Sequence, residues 1–397
     1  MMDYTFLLWL AVILFSTKFL GLLCRRIGLP EVVGALVAGI ILGPSCLNFI
    51  TTGGSNGTFL EFTAELGVVL LMFDAGITTE MEEMKKNIVG SFVVAFIGVI
   101  VPLVLGMLTF ALYFGMDMSD HTQMLESLFV GVILTATSVS ITVQTLREMG
   151  KLSGKVGTTI LGAAVIDDIL GLVVLTIVSG MKDSSVSMAS VFIKIAIYAV
   201  IIIVGMIGMP RLEPVLKKMD NKRRIGLFAL AAAFFFAFIS ESVFGIADIT
   251  GAYFLGLMLS QSKVHDYVDK KVEGLSNMFF SAVFFASIGI KVTLGGMSAE
   301  LWIFAIILTV VAILTKVVGC GLGAKVCKFT WKESVQIGVG MISRGEVALI
   351  VADKGRQLGL INTDMFAPVV LVVIVTTLIT PILLKVVFKD KKEVQAA

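Results

Sequence analysis

Apolar runs long enough to cross a bilayer recur from one end of the 397-residue chain to the other. A hydrocarbon core about 30 Å thick is spanned by about 20 helical residues. Inside it every backbone N–H and C=O needs an internal partner, which leaves helices or closed barrels. Spanning strands run about ten residues and alternate in polarity. The runs here, Phe6 to Leu23 among them, do neither. Composition agrees: 57% of residues are hydrophobic and 15% charged, where soluble domains carry about 25% charge. The expected fold class is an all-α polytopic membrane protein.

Thirteen spans are read, at roughly 4–23, 31–48, 58–76, 87–114, 125–146, 154–181, 187–209, 222–243, 248–262, 275–291, 299–325, 333–353 and 363–388. Spans two and nine are short and rich in glycine. The first run lacks a basic start and a small-residue cleavage site, so no cleaved signal is expected. Lys and Arg cluster at Arg25–Arg26, Lys85–Lys86, Arg147–Lys155, Arg211–Arg224, Lys263–Lys271, Lys325–Lys332 and Lys389–Lys392. The alternate loops hold only Lys182, Lys291, Lys354 and Arg356. The positive-inside bias then puts the N-terminus outside and the C-terminus in the cytoplasm of a cell membrane. With Ala397 a few residues past the last span, no cytoplasmic regulatory domain is expected. Cys24, Cys46, Cys320 and Cys327 have no metal or CxxC spacing. His121 and His265 read as loop residues, and the net charge of +2 gives no reason to expect nucleic acid.

Charge inside the spans is the exception that needs a function. A charge at the bilayer centre costs a few kcal/mol or more, and such residues mark ion pathways and relays. Span six carries Asp167-Asp168 between Gly162 and Gly171. Neighbours on a helix point about 100° apart, so the two aspartates face different surroundings and cannot clasp one water, as an aspartyl protease requires. Ala164 and Gly171 share the face of Asp168 and leave room beside it for an ion. Asp167 needs a cation, and span eleven offers Lys316. The bland alternative is a structural ion cluster tying three helices together.

Spans five and twelve look broken. Span five holds Thr135-Ala136-Thr137-Ser138-Val139-Ser140, whose hydroxyls compete for backbone hydrogen bonds. Span twelve holds Gly338-Val-Gly340-Met-Ile-Ser343-Arg344-Gly345-Glu346. Each is fifth in its half, with span seven between as linker. Paired broken helices of that kind point to a transporter's binding site. Thr137 and Ser138 are the expected oxygen ligands beside Asp168. Carboxylate and hydroxyl oxygens suit hard cations, and a single carboxylate suits a monovalent one. A proton and a cation then compete for Asp168, which gives exchange under alternating access. Arg344 and Glu346 project about 200° apart on an intact helix, so their expected role is to neutralise helix ends and unwound backbone. Glu65 and Asp74 in span three are read as lining the route or packing at an interface. No nucleotide-binding motif is present to drive a pump, no cofactor is expected, and a channel would show flux without proton coupling.

These residues resemble the second large family of monovalent cation:proton antiporters, the branch of NapA- and GerN-type sodium/proton exchangers with more distant Kef-type potassium systems. Leu29-Pro30 through Gly43-Pro44, Leu71-Met-Phe73-Asp-Ala-Gly76, Thr137-Ser138, Asp167-Asp168 and Ser343-Arg344-Gly345-Glu346-Val347 carry the likeness over nearly the whole chain. The resemblance implies inverted repeats with two crossing discontinuous helices. It implies a mobile core bundle (about 87–181 and 299–388), a dimerisation bundle (about 4–76 and 222–291), a linker helix (about 187–209) and a homodimer. An Asp-Asp pair with a membrane lysine implies electrogenic exchange of Na+, and of Li+, at two protons per ion, with Asp168, Asp167, Thr137 and Ser138 at the ion and Lys316, Arg344 and Glu346 as supporting charges. One net charge moved inward across 100 mV supplies about 2.3 kcal/mol. Kef-type systems usually carry glutamine at the first aspartate, so Asp167 speaks against K+/H+ exchange, the alternative within this fold.

Overall fold

Leucine, valine, isoleucine and alanine fill each apolar run, and in hydrocarbon their backbone closes into helix. The computed structural model describes residues 4–51, 53–182, 188–218, 222–291 and 297–389, without the side chains of 188, 210, 212–218, 222, 223, 277, 346, 353 and 363. Among the described residues there are helices and no strands. They run as α1 (Thr5–Arg26), α2 (Glu31–Leu42), α3 (Gly54–Ile77), α4 (Met81–Phe114), α5 (His121–Thr135), α6 (Val139–Glu148), α7 (Lys155–Lys182) and α8 (Met188–Lys218). Then come α9 (Lys222–Ile239), α10 (Asp248–Leu259), α11 (His265–Leu275), α12 (Ser281–Ile290), α13 (Ala299–Val326), α14 (Trp331–Gly340), α15 (Glu346–Gln357) and α16 (Phe366–Phe388). Short π-helical turns at Ser240–Phe244 and Ser276–Phe280 extend α9 and join α11 to α12. Nine stretches among the described residues are long and apolar enough to cross a membrane, and α2 and α10 are shorter apolar helices.

The ends of several helices follow from local chemistry. Asp120 caps α5 by accepting from Thr122 N–H and Gln123 N–H. Thr330 and Glu333 form a reciprocal capping box at α14. His121 and His265 open α5 and α11 instead of lying in loops. Glycine at 115, 150 and 245 takes the positive φ that turns the chain after a helix.

Packing divides the helices into two groups. α4 lies against α5, α7 and α13, and α13 lies against α14 and α16. In the second group α1 packs on α2, α2 on α12, α3 on α10 and α12, and α10 on α9. α8 touches α7 on one side and α10 on the other. The contacts are reciprocal between the two halves: α3 crosses α10 as α12 crosses α2. Both crossings are backbone-close. A Cβ on Gly76 would strike the Tyr253 carbonyl and one on Gly256 the Phe73 carbonyl, while Gly39 and Gly289 stand the same way against Ala286 and Leu36. Small residues at such crossings let helices approach where no hydrophobic effect drives them together. The short, glycine-rich α2 and α10 are thereby the buried centre of the second group.

Candidate ion site at the helix crossing

The helical pattern fails at residues 136–138, between α5 and α6, and at residues 341–345, between α14 and α15. The two breaks meet. Ser138 N–H donates to the Ser343 carbonyl at 2.7 Å, and Ser343 Oγ donates to the Ser138 carbonyl at 2.8 Å. Thr142 Oγ1 donates to the Gly340 carbonyl at 2.8 Å and lies 2.9 Å from Ser343 Oγ. Thus the hydroxyls that weaken each helix also satisfy the backbone groups freed by the other. The contact is close at Gly345, where an added Cβ would lie 2.7 Å from Ser138 Oγ and press it aside.

Arg344 fills the middle of the crossing and is fully buried. Its Nη2 donates to the Leu134 carbonyl at 2.6 Å, at the C-terminal end of α5, and to the Ala312 carbonyl of α13 at 3.4 Å. Its Nη1 donates to the Ile342 carbonyl at 3.2 Å within the unwound segment. Thr377 of α16 donates to the Arg344 carbonyl. One guanidinium so meets a half-helix C-terminus, where negative partial charge gathers, and the open backbone of the opposing break. The Glu346 side chain lies outside the described residues; its backbone starts α15.

Asp167 on α7 and Lys316 on α13 form an ion pair in the same interior. Lys316 Nζ donates to both carboxylate oxygens, at 3.1 and 3.2 Å, with the two residues 2% and 0% exposed. The Arg344 charge acts on the same carboxylate. The Thr137 hydroxyl lies beside Asp167 without completing a hydrogen bond. Ser138 Oγ lies 3.3 Å from Ser140 Oγ.

Asp168 sits differently. It is part-exposed, like every residue of α7 from 168 to 175, while 157–165 are buried. Ala164, expected to leave space beside it, is 2% exposed and packed into the core. The room is on the other side, at Gly171, where an added Cβ would meet only Thr135 Oγ1, at 4.0 Å. Among the described residues no group of three or more His, Cys, Asp or Glu could hold a metal.

Sequence reasoning passed over Thr142 and Thr377 as site-building residues and read Ser343 only as part of the break in span twelve. Thr142 and Thr377 look like ordinary small residues of membrane helices, and only the crossing gives their hydroxyls a partner. It also left Arg147 among the loop charges and did not single out Glu148. Arg147 instead pairs with the buried Asp74 of α3.

Broken helices crossing over a buried acid–base pair, within an all-helical multi-pass bundle, define a membrane transporter whose cargo is an ion. Residues 11–390 match the model of the transmembrane sodium/hydrogen exchanger. The Na(+)/H(+)-K(+) antiporter GerN of Bacillus cereus is 42% identical over 394 residues, 98% of each chain. The Na(+)/H(+) antiporter of Enterococcus hirae is 35% identical, covering 95% of this chain and 96% of that one. The fold is also that of the sodium proton antiporter MjNhaP1 from Methanocaldococcus jannaschii, with a TM-score of 0.77 at 18% identity over 97% of this chain. The chain belongs to the sodium/hydrogen exchanger family; it is an integral membrane transporter and not an enzyme.

Proposed function

We propose that this protein exchanges Na+, and also Li+, for H+ by alternating access, with Asp168 as the group that carries cation and proton in turn. The observation that carries the reading is the contrast between the two neighbours on α7. Asp167 is buried against Lys316, while Asp168 is part-exposed beside open space at Gly171.

Charge counting gives the coupling. Loss of the proton on Asp168 opens the sodium-binding half of the cycle, and Lys316 and Arg344 then offset Asp167 and the ionised Asp168. A sodium ion at Asp168 adds one positive charge to a low-dielectric site, where uncompensated charge is costly. Lys316 answers by releasing its proton, and Asp167 is then free to turn an oxygen towards the ion, with Thr137 and Ser138 as further oxygen ligands. When sodium leaves, Asp168 takes one proton and Lys316 another. Two protons move against one sodium, so the cycle carries one net charge. Arg344 stays protonated throughout and holds the helix ends together, and Glu346 is the remaining charge at the start of α15.

Access alternates as the bundle of α4–α7 and α13–α16 moves against that of α1–α3 and α9–α12, with α8 as the linker. The second bundle forms a homodimer in a cell membrane, N-terminus outside and C-terminus in the cytoplasm. Potassium is the second reading, because GerN of Bacillus cereus is named for K+ as well as Na+.

The test is a ΔpH assay in proteoliposomes with Na+, Li+ and K+, with and without an imposed potential. Sodium and lithium are expected to move protons, faster when the potential drives positive charge in the proton direction. Proton movement with K+ alone removes the sodium assignment, and indifference to potential removes the stoichiometry.

A further inference from the structure

α2 begins at Glu31 directly after Pro30, and proline has no side chain that can cap a helix. The cap comes from the other bundle. Glu31 N–H donates to Glu148 Oε2 of α6 at 2.6 Å, and Val32 N–H reaches the same carboxylate. A carboxylate at a helix N-terminus meets both free N–H groups and the positive end of the dipole. The preceding residue holds a second helix: Arg147 Nη1 donates to Asp74 of α3, whose side chain is 1% exposed. Two consecutive residues in the last turn of α6 therefore fasten one bundle to two helices of the other. The matching half-helix α15 has its main packing on α5 and α16, within its own bundle.

The exposure of α7 shows which end this fastening closes. The start of α7 follows the end of α6 after a short turn, so both lie at one face of the membrane. α7 is buried through residues 157–165 at that end and part-exposed from Asp168 to Leu175, further towards the other. The basic loops put the fastened end in the cytoplasm.

A polar ladder runs from the fastening to the crossing. Glu148, Gln144 and Ser140 follow at intervals of four on α6, one face of the helix. Gln144 Nε2 donates to Glu148 Oε1 at 3.1 Å, and Ser140 Oγ meets Ser138 Oγ at 3.3 Å. A cavity of about 420 Å3 between α1, α2, α6 and α12 is lined by Glu148, Gln144, Glu31, Lys18, Thr17 and Phe285. Gln144 Oε1 is buried and has no hydrogen-bond partner among the described residues.

We propose that the Arg147–Glu148 turn is the cytoplasmic gate, closed in this state by Asp74 and the N-terminus of α2, and that Glu148, Gln144 and Ser140 line the path the ion takes when it opens. The proposal rests on the exchange reading above. Arg147 and Glu148 are positioning residues with respect to the carrier site: they set how often the inner path is open and are not ligands of the ion at Asp168.

Thiol labelling tests it, in a chain whose four cysteines are replaced. Gln144→Cys reports inner access to a charged, membrane-impermeant maleimide in inside-out vesicles. Gly171→Cys reports outer access in right-side-out vesicles. Adding Glu148→Gln or Asp74→Asn is expected to speed inner labelling about tenfold and to slow outer labelling, because each removes a charged hydrogen bond present in only one of the two states. Should Asp74→Asn fail to reach the membrane, Glu148→Gln reads the same gate through α2. Unchanged inner labelling overturns the gate. So does a rise at both faces, which reports general loosening. Sodium-driven ΔpH in the parent vesicles is measured alongside; its absence defeats the exchange reading, while the labelling rates still report the gate.

Discussion

The buried Asp167–Lys316 pair is weak evidence for stability. Desolvating two ions is repaid only in good geometry, and a buried pair is often no better than well-packed apolar residues. Lys316→Ala leaves Asp167 buried without its partner and is expected to destabilise the protein by about 3–5 kcal/mol. Asp167→Asn combined with Lys316→Met removes both charges and should recover most of that loss. Thermal unfolding in detergent measures both variants. On the proposed cycle the double variant should also transport without responding to membrane potential, because the second proton site, residue 316, is gone. A double variant as unstable as Lys316→Ala would mean the site depends on something other than charge balance. Counting charges in the spans leads from Asp167 to Lys316, and the two are in contact. The space around Asp168 was harder to read. Ala164 and Gly171 are equally small, and only the packing shows that Ala164 is walled in.

Among the elements, the broken helices explain why a membrane interior tolerates unwound backbone. Each break supplies partners for the other through Ser138, Thr142 and Ser343. Gly345→Ala would press a methyl against Ser138 and is expected to slow exchange about tenfold while the protein still folds, at an overpacking cost of about 1–3 kcal/mol. Transport rate and unfolding midpoint on the same preparation check this; wild-type exchange would show that the breaks need no such close contact. The breaks were legible because clustered hydroxyls and glycines stand out in apolar runs. The clasp of α6 on α2 and α3 was not. Arg147 and Glu148 follow the last apolar residue of a span and count as loop charge in any hydropathy reading, and their partners are 73 and 117 positions away.

At the scale of the whole molecule, one group of helices is interlocked through glycine crossings and the other is built around charge. The apolar core cluster that contains Val32, Val68 and Tyr253 from the first and Val139, Ala163 and Ile337 from the second lies where they meet. Gly256→Val would push α10 off α3 and is expected to cost more than about 3 kcal/mol, read as loss of folded protein in detergent. A folded, active variant would show that the crossing can give. Hydropathy makes the spans legible, but not how they group, because lipid-facing and helix-facing residues are alike apolar. The central claim concerns one carboxylate within this assembly. Sodium-dependent proton movement in proteoliposomes bearing Asp168→Asn tests it most directly. The amide cannot exchange a proton for a cation, so the account predicts none above protein-free liposomes, from protein that folds as well as the parent. Coupled exchange retained in that variant would contradict it.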